Sequence, residues 1–263
     1  MLEFTFMRYA LIGVLLISPM MGMLGTMAVN NKMAFFSDAL GHSALTGIAL
    51  GVLLGIHNEL LSMVAFGIFM ALIITRVKGA RSASTDTIIS VFSSAAIAFG
   101  LVILSMNGEF SSYSRYLIGD ILSISSGQLI LLGVTLAAVT IIWALLYNKL
   151  MLLSINRDLA ASRGVRTVLV ENVFVVMVAV VVMLSIQWVG ILLINSLLIL
   201  PAAAARNIAR SSRSYLWLSI GIAMACGAAG LTLSYSIDTS AGATIVLICA
   251  AVFMITYLFR RRK

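Results

Sequence analysis

Charge is scarce in this chain. Of its 263 residues, 10% are Asp, Glu, Lys or Arg, against about 25% in soluble domains. That excludes an ordinary water-soluble globule of this length. Cysteine numbers two, which excludes a disulfide scaffold. Cys226 and Cys249 both fall in apolar runs, where they read as small buried residues rather than a zinc site. Proline also numbers two. Pro201 lies near the end of one apolar run, and Pro19, inside another, predicts a kink because it removes a backbone hydrogen bond. There is no glycine-rich phosphate loop ending in Lys-Ser or Lys-Thr, no serine-nucleophile motif and no paired-carboxylate site. The sequence therefore reads as a non-enzyme with no permanently bound cofactor. Any ATP must be handled by a separate subunit.

What fills the chain is apolar: 62% of the residues. Several runs reach the roughly 20 residues that a helix needs to cross the hydrocarbon core. The fold class is all-α, a polytopic helical membrane protein with about 8–9 spans, and no second domain or linker interrupts residues 1–263. The spans are expected over Tyr9–Val29, Met33–Ile56, Leu60–Val77, Asp86–Met106, Gln128–Tyr147, Val165–Ser185, Val189–Ala205, Tyr215–Tyr235 and Ala243–Phe259. The first lacks a small-residue cleavage site after it and is taken as a span, not a signal peptide. Residues 107–127, with Arg115 and Asp120 among apolar neighbours, predict an interfacial or re-entrant helix.

The net charge of +8 does not point to nucleic acid, because the basic residues sit in short breaks between spans. With nine spans and a cytoplasmic carboxyl end, fifteen of the seventeen Lys and Arg residues fall inside, from Lys32 to Arg260-Arg261-Arg262-Lys263. Only Arg8 and Arg115 fall outside. This is the positive-inside pattern. Glu3, Glu59, Glu109, Asp120 and Asp238 make the outer face mildly acidic, which favours cations and basic docking surfaces.

One span carries an acid and an imidazole. Asp38 and His42 are four residues apart and so share a helix face, with Cβ atoms roughly 5–6 Å apart. Both can reach one divalent cation. About ten residues from Lys32, at 1.5 Å each, place His42 roughly 15 Å deep, near mid-bilayer. A carboxylate there costs roughly 2.5–3.5 kcal/mol and usually serves transport. The pair is expected to contact a transported ion; a buried polar pair that only packs helices is the bland alternative. Leu45, Ala49 and Val52 extend their face, while Gly47, Gly51 and Gly55 form an opposite stripe for close helix packing. Glu171 and Asn172 are read as packing or interfacial residues near the cytoplasmic side before pathway residues. Gln187 and Asn195 are read as helix–helix hydrogen-bonding groups, His57 as a solvated turn and the fifteen methionines as apolar filler. In the basic break 148–166, Asn156 or Asp158 can cap a short helix through Arg157, Leu159 and Ala160 that Gly164 ends.

The chain resembles the membrane permease of the zinc, manganese and iron ABC importers over essentially its whole length. Three stretches carry the resemblance in order. They are Lys32 to Gly47 around Ser37-Asp38-Ala39-Leu40-Gly41-His42-Ser43, Val189 through Leu200-Pro201-Ala202 to Arg206, and Asp238 to Leu247. In the third, Thr239-Ser240 stand where members often have Pro. The resemblance implies a single permease domain working as a dimer with a second copy. It also implies two cytoplasmic ATPase subunits and an extracytoplasmic metal-binding protein that delivers the ion. It makes Asp38 and His42 pathway residues and makes Asn156, Arg157, Asp158, Leu159, Ala160 and Gly164 the ATPase-coupling helix. Zinc suits a histidine with a carboxylate, manganese a site richer in oxygen. The rivals are a stand-alone secondary cation transporter or channel, which would need no ATPase, and a membrane scaffold, which would transport nothing.

Overall fold

The computed structural model describes residues 4–56, 58–79, 83–107, 119 and 121–259. Ten α-helices and one 3-10 turn (Ile121–Ser123) account for nearly all of them, and no strand occurs among the described residues. In chain order they are α1 (Thr5–Asn30), α2 (Phe36–Leu53), α3 (Glu59–Gly79), α4 (Thr85–Asn107), α5 (Ser126–Ile155), α6 (Arg157–Ser162), α7 (Thr167–Val189), α8 (Ile191–Ile208), α9 (Ser212–Ile237) and α10 (Ala241–Leu258). All but α6 are long and apolar enough to cross a membrane, which makes nine spans among the described residues. The expected re-entrant helix over 107–127 falls mostly outside the described residues; within reach, only the 3-10 turn and the start of α5 are seen.

The helices gather into two compact units. One contains α1, the first part of α5 and α8 to α10; the other contains α2 to α4, the rest of α5, α6 and α7.

In the first unit, α1 is held on two sides. The Ser219 hydroxyl of α9 donates to the Gly22 carbonyl at 2.8 Å, and the Tyr215 hydroxyl donates to the Thr26 carbonyl at 3.3 Å. A Cβ on Gly25 would overlap the Leu198 carbonyl of α8. Met7, Met20, Met21, Met23 and Met27 fill the buried side of α1, in keeping with flexible thioethers as gap-fillers. Cys226 and Cys249 are free and buried.

In the second unit, α2 is gripped by α3 and α4. A Cβ on Gly47 would lie 2.9 Å from the Met63 Cα, and one on Gly51 would strike the Ser62 side chain. On α4, a Cβ on Gly100 would come within 3.0 Å of the Thr46 backbone. The Thr46 hydroxyl donates to the Ala96 carbonyl in the same contact.

Three boundaries differ from the sequence reading. Gly55, expected on the packing stripe of α2, lies past the helix end. Its φ is +70°, Gly55 N–H bonds to Val52 O at 3.1 Å and Ile56 N–H bonds to Gly51 O at 2.8 Å. That is a Schellman stop, which places a left-handed residue just after the helix. Gly55 therefore ends α2, and a Cβ there would meet nothing within 4 Å. At the other end Lys32 has φ +55°, so α2 starts at Phe36 rather than Met33. Helix α5 runs on to Ile155 where a break after Tyr147 was expected. Asn148 and Lys149 stay exposed on its surface, so their polarity does not interrupt it; long cationic side chains reach water from a helix flank.

Candidate functional site

Asp38 lies in the first turn of α2, where the positive end of the helix dipole favours a carboxylate. His42 follows one turn later. The Asp38 Oδ1 and His42 Nε2 atoms are 3.5 Å apart. Two donors of a tetrahedral ion, each about 2.1 Å from it, stand roughly 3.4 Å apart. The pair thus already holds the spacing of two ligands on one ion.

Accessibility singles out the same two residues. From Phe36 to Ala49 every residue of α2 is buried except Asp38 and His42. Their side chains are 45% and 31% exposed. Leu45 and Ala49, expected on the same open face, are buried, so the window spans one helical turn only. Among the described residues no group of three or more His, Cys, Asp or Glu side chains gathers as a metal cage. Two protein donors with room for water suit an ion that must leave again, since conduction needs binding tight enough to enter and weak enough to release.

Elsewhere in the same unit, α6 forms the short helix expected in the basic break. Asn156 is its cap: the Asn156 side chain accepts from the backbone N–H of Asp158 at 2.9 Å and of Leu159 at 3.1 Å. Ala160 is fully buried. Gly164, φ +76°, closes the helix with bonds from Gly164 N–H to Ala161 O at 3.0 Å and from Val165 N–H to Ala160 O at 3.1 Å. Removing the cap in Asn156→Ala is expected to cost about 1 kcal/mol; faster amide exchange confined to Asp158, Leu159 and their neighbours would show it.

Glu171 does not join Asp38 and His42. Its two carboxylate oxygens are taken by Lys78 Nζ at 3.2 Å and Arg157 Nη1 at 3.1 Å. This is an ion-pair cluster at the ends of α3, α6 and α7. Its sequence trace was one acidic residue inside the apolar run Val165–Ser185. Asn172 and Gln187 line open grooves, with Arg166 and Leu169 beside the first and Glu59 beside the second. His57 lies outside the described residues.

The family model of the ABC 3 transport family matches residues 3–260. The chain belongs to the ABC 3 transport family. It is 31% identical over 255 residues to a high-affinity zinc uptake system membrane protein, ZnuB of Haemophilus influenzae, covering 97% of each chain. It is 29% identical over 262 residues to a manganese import system permease protein, ScaB of Streptococcus gordonii, covering 99% of this chain and 94% of that one. A solved structure of PsaBC from Streptococcus pneumoniae in complex with Fab superposes with a TM-score of 0.84 at 29% identity, over 97% of this chain and 92% of that chain. The protein is thus a multi-pass permease subunit of an ATP-binding-cassette metal importer.

Proposed function

We propose that this permease passes zinc, ahead of manganese, through a path in which Asp38 and His42 are the protein's own ligands. The observation that carries the reading is the one-turn window on α2, where an oxygen and a nitrogen donor are the only open side chains of an otherwise buried stretch. A neutral imidazole beside a carboxylate suits zinc, and the 3.5 Å separation matches a tetrahedral edge. Waters or a second copy of the chain complete the shell.

In this reading two copies work with cytoplasmic ATPase subunits that dock on α6, and an extracytoplasmic metal-binding protein delivers the ion. The carboxyl end faces the cytoplasm, because that orientation keeps the basic breaks inside. The chain contributes ligands and moving helices; ATP binding and hydrolysis belong to the partners.

The test is uptake into vesicles holding the permease with its ATPase and binding protein, with zinc and manganese measured side by side. ATP-dependent zinc accumulation exceeding that of manganese is expected. Accumulation that persists without the ATPase would replace this reading with a secondary transporter. A preference for manganese would correct the ion and leave the path standing.

A further inference from the structure

Helix α6 is a six-residue rod between two joints. On one side Asn156 adopts an extended backbone, φ −156° and ψ 120°. On the other Gly164 is left-handed, φ +76°. The backbone changes direction at both ends, so α6 is not a continuation of α5 or α7. Across the second joint, the Arg157–Glu171 ion pair, 3.1 Å long, ties the start of α6 to α7. The same carboxylate holds Lys78, in the last turn of α3, at 3.2 Å. Glu171 itself sits in the second turn of α7 and its side chain is only 11% exposed.

We propose that Glu171 is a positioning residue that fastens α6 to α3 and α7, so that movement of α6 reaches the helix layer holding Asp38 and His42 instead of being lost at its joints. The path onward is short. Helix α3 grips α2 at Gly47 and Gly51. A cavity of about 130 Å³ beside the cluster is lined by Lys78, Arg157 and Glu171 together with Asn31 and Met33, just before α2. Two cations share one shielded carboxylate, so the cluster holds three elements with a single acidic group. The Lys78–Glu171 pair, with side chains 19% and 11% exposed, is screened less by salt than an exposed pair and breaks at a greater cost, which suits a clamp; the Arg157 side chain is more open, at 41%. The inference rests on the reading of α6 as the ATPase-docking helix.

The experiment measures metal moved and ATP hydrolysed by the complete complex, permease with ATPase and binding protein, in the same vesicles. Lys78→Met releases α3 while Arg157 still neutralises Glu171, so the fold is retained. Glu171→Gln releases both partners. Each is expected to keep ATP hydrolysis while the metal moved per ATP drops roughly 2- to 30-fold, the range for mutations along a coupling path. Lys78→Arg, which preserves the ion pair, is expected to restore the ratio. A cluster that merely stabilised the protein would lower transport and hydrolysis together and leave the ratio unchanged; that result overturns the proposal. If Glu171→Gln fails to fold, Lys78→Met decides alone. If the unmodified complex shows no metal-dependent ATP hydrolysis, the reading of α6 falls and the clamp with it. A coupled wild type beside an equally coupled Lys78→Met removes the clamp only.

Discussion

Asp38→Ala and His42→Ala are each expected to reduce metal uptake to background while leaving the folded permease intact. Both side chains are partly open and neither fills the core, so truncating them costs little stability. Substitutions away from the core usually stay within about 0.5 kcal/mol. Asp38→Ala loses in addition the favourable interaction with the α2 dipole, about 0.3–1 kcal/mol. Against that small cost stands the loss of one of the two proposed ligands on this face of α2. Outer partners of a metal ligand are already worth about 10- to 100-fold in affinity, so losing a ligand itself is expected to cost about 100-fold or more. Asp38→Asn keeps the shape and removes the charge, and should fail nearly as badly as Asp38→Ala. The double variant should be no worse than either single one, because the two donors act on one ion. Binding should also weaken as pH falls, since a proton on the imidazole or the carboxylate competes with the metal. Uptake by permeabilised and intact vesicles, with thermal unfolding measured in parallel, checks all of this. Normal uptake by a folded Asp38→Ala, His42→Ala double variant would mean that the ion takes another path.

The legible part of this protein is whatever depends on local spacing. Among the described residues, the nine apolar runs form nine helices of spanning length, because length and hydropathy decide a span. The Asp38–His42 pair was readable because four residues make one turn, and the α6 helix because Asn156 and Gly164 are both local punctuation. What local pattern missed was set by contacts distant in sequence or by backbone conformation. Gly55 continues a four-residue glycine spacing, so it read as packing; only its left-handed φ shows it to be a helix stop. The extension of α5 to Ile155 was hidden because Asn148 and Lys149 look like a break in composition, while the backbone hydrogen bonds of a helix do not depend on side-chain polarity. Glu171 looked like one stray acid in an apolar run. Its partner Lys78 is 93 residues away, and nothing local announces that pairing.

The glycines of α1 were passed over for the same reason, and they carry the largest expected effect on folding. Gly22 and Gly25 are three residues apart, so they face neighbouring directions, one toward α9 and one toward α8. A Cβ on Gly22 would lie 2.8 Å from the Ile220 Cα, and one on Gly25 would overlap the Leu198 carbonyl. These obstacles are backbone atoms, which cannot rotate aside as a long side chain can. Close backbone approach is also how membrane helices associate when lipid supplies no hydrophobic drive between them. Gly25→Val must therefore push α1 and α8 apart, and overpacking of a filled contact typically costs about 1–3 kcal/mol. Here the cost should lie at the top of that range or beyond it. The shift would also strain the Ser219–Gly22 and Tyr215–Thr26 hydrogen bonds on the far side of α1. The expected result is loss of the monodisperse, detergent-extracted permease, not a transport defect in a normally folded one. Gly221→Ala supplies the contrast. It lies on the open side of α9 with nothing within 4 Å of a new Cβ. Replacing glycine by alanine in a helix is worth up to about 1 kcal/mol in its favour, so this variant should melt at or above the parent temperature. Thermal stability in detergent separates the two. A Gly25→Val protein as stable as Gly221→Ala would show that α1 does not rest on α8 through a backbone contact.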